Sequence, residues 1–138
     1  MKILAVDHGE RRIGIAISDR TGTLARPVEV IKHVSHLEDA SRIARLAKDQ
    51  EAELILVGQS FNEDGTPNLA GRRAGRFAES LRAQTDLPVQ LWDESLTTQD
   101  AHRAAIEMNI PRRKRRGHLD DMAAVLLLQS YLEAKREE

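Results

Sequence analysis

The stretch KILAVDHGERRIGIAISD, Lys2 to Asp19, decides the fold. It reads as an apolar strand over residues 3–6, a polar turn, and a second apolar strand over 13–18. The first strand runs straight into a carboxylate, Asp7. The turn His8-Gly9-Glu10-Arg11-Arg12 brings the chain back. On the returning strand Ile13, Ile15 and Ile17 share one face, and Gly14, Ala16 and Ser18 share the other. A face of such small residues lets something approach the sheet closely. An acid at the end of a buried strand beside that face is a poor core residue and a good start for an active site.

Outward from this hairpin, composition sets the limits. The chain has 138 residues and a formal net charge of −1, which suits a single domain over residues 1–138 with a core that needs no staples. It has no cysteine, so disulfides and thiolate metal sites are excluded. No run of 18 apolar residues exists to enter a membrane. Asp7 breaks the N-terminal apolar stretch after four residues, unlike a signal peptide. The expectation is a cytoplasmic protein with no membrane partner. Charge is uneven along the chain. Residues 101–118 carry Arg103, Arg112, Arg113, Lys114, Arg115 and Arg116 against one acid, Glu107. A basic segment on a near-neutral protein suits a polyanion; a solvated charged loop is the plainer reading.

The remaining pattern predicts a third strand over 27–32 and a helix opened by the capping box Ser35-His36-Leu37-Glu38. That helix carries Leu37, Ala40, Ile43, Ala44 and Ala47 at helical spacing. A buried strand follows over 53–57, ending in Gly58, then a polar loop with an Asp64-Gly65 turn. A helix over 69–84 has Ala70, Ala74, Phe77, Ala78 and Leu81 as its apolar stripe. A strand over 89–92 ends in Asp93-Glu94, a helix over 97–109 begins at Thr97, and a last helix covers 119–134, apolar nearly all round from Met122 to Leu128. Strand–helix–strand units need right-handed crossovers between parallel neighbours. The fold class is therefore α/β, a mixed five-stranded sheet with helices on both faces.

Three acids stand out. Asp7 and Glu94 each follow an apolar strand, and ligands bind beyond the carboxyl ends of strands in open α/β sheets. Asp120 shares a helix face with Ala123, Ala124, Leu127 and Tyr131, two of them small enough for close packing. Three acids meeting at one sheet end repel unless a cation sits among them, and oxygen-only donors favour Mg²⁺ or Mn²⁺. Competing readings remain open: Asp93 as a turn former, and Asp120 with Asp121 as first-turn acids that favour the helix dipole.

The motifs DHGERRIGIAISD (Asp7 to Asp19), LWDESLTT (Leu91 to Thr98) and LDDMAAVLLLQSYL (Leu119 to Leu132), in this order, resemble the YqgF family, also called RuvX-like. The resemblance covers essentially the whole chain. It implies an RNase H-like fold related to RuvC-type Holliday junction resolvases. It also implies a nuclease processing the 5′ end of pre-16S rRNA, with a divalent-metal site at Asp7, Glu94 and Asp120. Arg12, Gly14, Asp19, Thr97 and Thr98 match the rest of the motifs. Two positions depart from the family pattern: Ser95 replaces an arginine, and Gly58-Gln59-Ser60 replaces Gly-Leu-Pro.

On this reading the chain hydrolyses nucleic-acid phosphodiesters. Arg12 steadies the phosphate, or is a surface charge. Arg112, Arg113, Lys114, Arg115 and Arg116 grip the backbone, and Arg72, Arg73 and Arg76 extend that surface or are simply solvated. His8 and His118 flank two of the acids, where they assist proton transfer or are incidental. Aromatic residues are few, which favours recognition of structured RNA or branched DNA by shape and phosphates over base stacking. The alternatives are a Holliday junction resolvase, a non-catalytic RNA-binding assembly factor and a nucleotide-binding module. The molecule is read as a monomer or a homodimer.

Overall fold

In a computed structural model of the chain, residues 1–96 and 119–136 are described, without the side chains of Leu96, Leu119, Asp120 and Asp121. The expected helix over 97–109, the basic segment 112–116 and His118 lie outside the described residues. Three strands open the chain: β1 (Ile3–His8), β2 (Arg12–Ser18) and β3 (Ala25–Lys32). Helix α1 (His36–Asp49), strand β4 (Leu54–Gln59), helix α2 (Leu69–Arg82) and strand β5 (Val89–Asp93) follow. One 3-10 turn (Glu94–Leu96) and helix α3 (Leu119–Arg136) complete the described elements.

The sheet order is β3-β2-β1-β4-β5. β1 pairs antiparallel with β2 and parallel with β4, so it is central and hydrogen-bonded on both edges. The mixed five-stranded sheet is the one expected. Alternation along the strands sorts side chains into two cores. Leu4, Val6, Ile13, Ile15, Ile17, Ile55 and Val57 face α1 and α2. Ile3, Ala5, Ala16, Leu54 and Leu56 face α3. The small-residue face of β2 is thus the one α3 covers.

Two apolar stripes differ from expectation. On α1, Leu37 is exposed and Asp39 is buried instead. Asp39 earns its place through polar bonds: its carboxylate accepts from the Val34 N–H at 3.1 Å and faces His33 Nδ1 at 2.5 Å. On α2, Gly71 rather than Ala70 is buried, because a Cβ at position 71 would lie 2.0 Å from the Ser60 carbonyl oxygen. On β3 the register shifts beside Ile15 and Ala16, leaving Val28 as a bulge. Ala25 consequently meets the α3 core while Ile31 meets the other.

Helix α3 is held by buried polar clamps as well as by apolar packing. Gln129, fully buried, accepts from the Ala25 N–H at 3.0 Å and donates to the Thr23 carbonyl at 3.0 Å. The Trp92 indole donates to Ser130 at 3.1 Å, and the Trp92 and Tyr131 rings meet edge to face. No helix among the described residues is long and apolar enough to cross a membrane. Gln129→Leu leaves the buried Ala25 N–H without its acceptor. It should cost about 1–3 kcal/mol, read as a lower urea midpoint with an unchanged denaturant slope.

Candidate active site

The C-terminal ends of β1, β4 and β5 and the N-terminal end of β2 lie at one end of the sheet. Asp7 is opposite Gly14 in the β1–β2 register. Asp7 follows Ile3 and Ala5 in alternation, so it is on the face that α3 covers. The Val6–Val57 pairing, continued by one residue, puts Gly58 beside Asp7 at one strand spacing, about 4.8 Å.

Gly58 is the pivot of the site. A Cβ there would lie 2.6 Å from Glu94 Oε1, 3.0 Å from Glu94 Cγ and 2.9 Å from Leu127 Cδ2. Glu94 therefore folds back from the end of β5 over the backbone of β4. Its carboxylate fills the space that any larger residue at position 58 would take. Asp7 and Glu94, 87 positions apart in sequence, are brought to one end of the sheet, Glu94 reaching from β5 over β4, the strand next to that of Asp7. Both are partly buried. Asp120 lies in the first turn of α3, one turn before Ala124, which is packed without exposure in the core under that helix. Its side chain lies outside the described residues.

The neighbouring positions have other work. Asp93 accepts from both the N–H and the hydroxyl of Ser95, at 2.9 and 2.8 Å. Asp93 is thus a turn former, and Ser95, at the position of the family's arginine, completes that turn. Gln59 donates to the Gly71 carbonyl, and Ser60 donates to Asn68, the residue that caps α2. The Gln59-Ser60 departure ties β4 to α2. Asp19 accepts from the Thr23 and Leu24 N–H groups and closes the β2–β3 turn.

Arg12 opens β2 on the side of Gly14, hence of Asp7. With Arg11, Lys32, Val30 and Ile31 it lines an open cleft of about 490 Å³ at this end of the sheet. Lys32 at the cleft had no place in the sequence reading. Arg72, Arg73 and Arg76 are on α2, across the sheet from this cleft; the basic segment whose surface they were expected to extend lies outside the described residues.

His8 is also across the sheet. It stacks on Phe77 with centroids 4.4 Å apart, so it is not placed for proton transfer at Asp7. Both its ring nitrogens are buried without a hydrogen-bond partner among the described residues. Burial, with the neighbouring His36, His33 and Arg73, pushes its pKa down from 6.5 to about 4. His33 and Asp39 stand beside it, and one donor atom from each of the three falls within 4.8 Å of the others. The sequence reading missed this cluster. Its signal was the spacing of His33, His36 and Asp39, three residues apart each time, directly after a strand.

A family model described as "RuvX: Holliday junction resolvase" matches residues 1–134. A Thermoanaerobacter pseudethanolicus protein named "Putative pre-16S rRNA nuclease" is 40% identical over 139 residues, covering 100% of each chain. Among solved structures, Thermus thermophilus RuvC in complex with a Holliday junction substrate matches with a TM-score of 0.64 at 16% identity, covering 99% of this chain and 96% of that one. The fowlpox virus resolvase with Holliday junction DNA gives 0.59 at 16% identity, covering 98% and 99%. The two structures share the fold, which is RNase H-like as the resemblance implied.

Two outcomes follow from this geometry. Gly58→Ala should displace the Glu94 carboxylate and overpack Leu127. It should lower stability by about 1–3 kcal/mol and weaken Mn²⁺ binding measured by calorimetry. Unfolded His8 takes up its proton near 6.5 and folded His8 only near 4. Its contribution is therefore complete above pH 6.5 and is lost as pH falls toward 4. His8→Phe should melt with a shallower drop in Tm across that window than the parent chain.

Proposed function

The chain belongs to the RuvX family, and from that premise we propose that it is a divalent-metal-dependent nuclease cleaving phosphodiester bonds of structured RNA, the 5′ end of pre-16S rRNA being its substrate. The observation that carries the reading is the cradle at Gly58, which seats the Glu94 carboxylate over β4, the strand next to that of Asp7. A glycine kept bare lets the Glu94 carboxylate lie over β4, next to the strand that carries Asp7, and a shared cation offsets the repulsion of two acids gathered there. The relatives' name, "Putative pre-16S rRNA nuclease", supplies the RNA substrate.

The donors fit the expected ion. Asp7, Glu94 and Asp120 offer oxygen alone, which suits Mg²⁺ or Mn²⁺. A bound ion of this kind supplies Lewis acidity to a phosphate oxygen and lowers the pKa of the attacking water. The chain's own part is positional. Asp7 is fixed by a strand bonded on both edges, and Glu94 by the bare backbone of Gly58. Asp120 would contribute from the first turn of α3, a helix seated by Gln129 and Ser130. Arg12, Arg11 and Lys32 hold the scissile strand's phosphates along the cleft. Arg112, Arg113, Lys114, Arg115 and Arg116 add sequence-independent, salt-sensitive grip.

The family model's description favours a second reading, resolution of branched DNA. One experiment separates the two. Purified protein is given a structured pre-16S 5′ leader or a four-way DNA junction, with Mn²⁺ or with chelator, alongside Asp7→Asn. Metal-dependent RNA cleavage, reduced at least about 100-fold in Asp7→Asn, is the expected result. Paired symmetric nicks in the junction would move the assignment to the resolvase. Binding without cleavage of either substrate would leave a non-catalytic assembly factor.

A further inference from the structure

The His8, His33 and Asp39 cluster is not part of the acidic site. His8 and Asp7 are consecutive on β1, so their side chains leave opposite faces of the sheet. Asp7 is on the α3 side. His8 is on the α1 and α2 side, stacked on Phe77. The cluster joins three elements: the end of β1, the residue after β3 and the first turn of α1.

Its donors are unusually well prepared. Both nitrogens of His8 are buried and unpartnered among the described residues. The Asp39 carboxylate, 2% exposed, is oriented by the Val34 N–H on Oδ1, which leaves Oδ2 toward His33 Nδ1 at 2.5 Å. The His33 backbone N–H is itself anchored on the Arg11 carbonyl at 2.8 Å. One donor atom from each residue lies within 4.8 Å of the other two. A tetrahedral site with bonds of about 2.0–2.2 Å sets donors roughly 3.4 Å apart, so the widest pair closes by no more than about 1.5 Å, and the hydrogen-bonded His33–Asp39 pair opens by about 0.9 Å as the ion enters. His36, the first residue of α1, stands beside the three, its ring 5.3 Å from that of His8 and 6.1 Å from that of His33.

We propose that His8, His33 and Asp39, with His36 beside them, form a second metal site for a borderline-soft divalent transition ion of the Zn²⁺ or Co²⁺ kind. Two imidazoles and one carboxylate match such ions and not Mg²⁺ or Ca²⁺, which prefer oxygen donors. Arg73 and Arg76 on α2 oppose positive charge here electrostatically. That further disfavours a hard ion held by one carboxylate and leaves ions whose bonds to imidazole nitrogen outweigh the repulsion. The ion takes the place of the proton between His33 and Asp39 and gives His8 the partner it lacks. It thereby pins the end of β1 to the β3–α1 connection. The site does not rest on the nuclease reading, because none of its donors serves the acidic site.

The test uses the full chain freed of metal by chelator and then titrated with Co²⁺. The expected result is one equivalent bound with the intense visible bands of tetrahedral coordination, bleached by Zn²⁺ and unmoved by excess Mg²⁺. His8→Phe keeps the stack on Phe77, and His33→Gln keeps a donor toward Asp39. Each should weaken binding at least about 100-fold and abolish the Zn²⁺-induced rise in Tm, while remaining folded by circular dichroism in chelator. Asp7→Asn should retain the bands. Absence of stoichiometric binding, or bands that survive both histidine substitutions, would overturn the proposal. Bands lost only in Asp7→Asn would assign the ion to the acidic site instead.

Discussion

β1 has no freedom of register. It is bonded to β2 on one edge and to β4 on the other, and helices cover both of its faces. A slip of one residue would turn Leu4 and Val6 into the α3 core and Ile3 and Ala5 out of it. The strand's last two side chains are therefore sent to fixed and opposite places. Asp7 goes to the side with the bare glycines, and His8 goes to the aromatic and imidazole side. Chemistry at this end of the molecule depends on that alternation.

The acidic half of this arrangement was legible in the sequence, because it is written in strand periodicity. Isoleucines at 13, 15 and 17 mark one face, and Gly14 and Ala16 mark the other. Asp7 and Glu94 follow from where apolar runs stop. Gly58 was visible only as the end of a strand. Its meaning lies in an atom of Glu94 that occupies the position its own side chain would take, and that contact is long-range. The same limit explains Gly71, whose bare backbone meets the Ser60 carbonyl where periodicity favoured Ala70. Asp39 was hidden because an acid in a first helical turn needs no further reason; its burial comes from His33 and Val34, which precede the helix.

The two departures from the family pattern have local explanations. Ser95 completes a turn with Asp93, and Gln59 with Ser60 fastens the start of α2. Neither position presents a cation; among the described residues, Arg11 and Arg12 at the β1–β2 turn and Lys32 at the end of β3 bring positive charge to this end of the sheet. The β2–β3 hairpin thus serves twice. Its tip-side backbone receives Gln129 from α3, and its opposite end carries Arg12 and Lys32.

The bulge at Val28 also bears on how copies of the chain meet. β3 is an edge of the sheet, and an edge strand invites pairing by another chain. Here that edge holds Pro27, which has no N–H to offer, and the bulge beside it interrupts a regular ladder. Charged Arg26 and Lys32 flank it. Growth of the sheet from this side is blocked by the backbone itself. Any two-fold partner, if one is used to cut paired strands, must meet the molecule elsewhere than by adding a strand to β3.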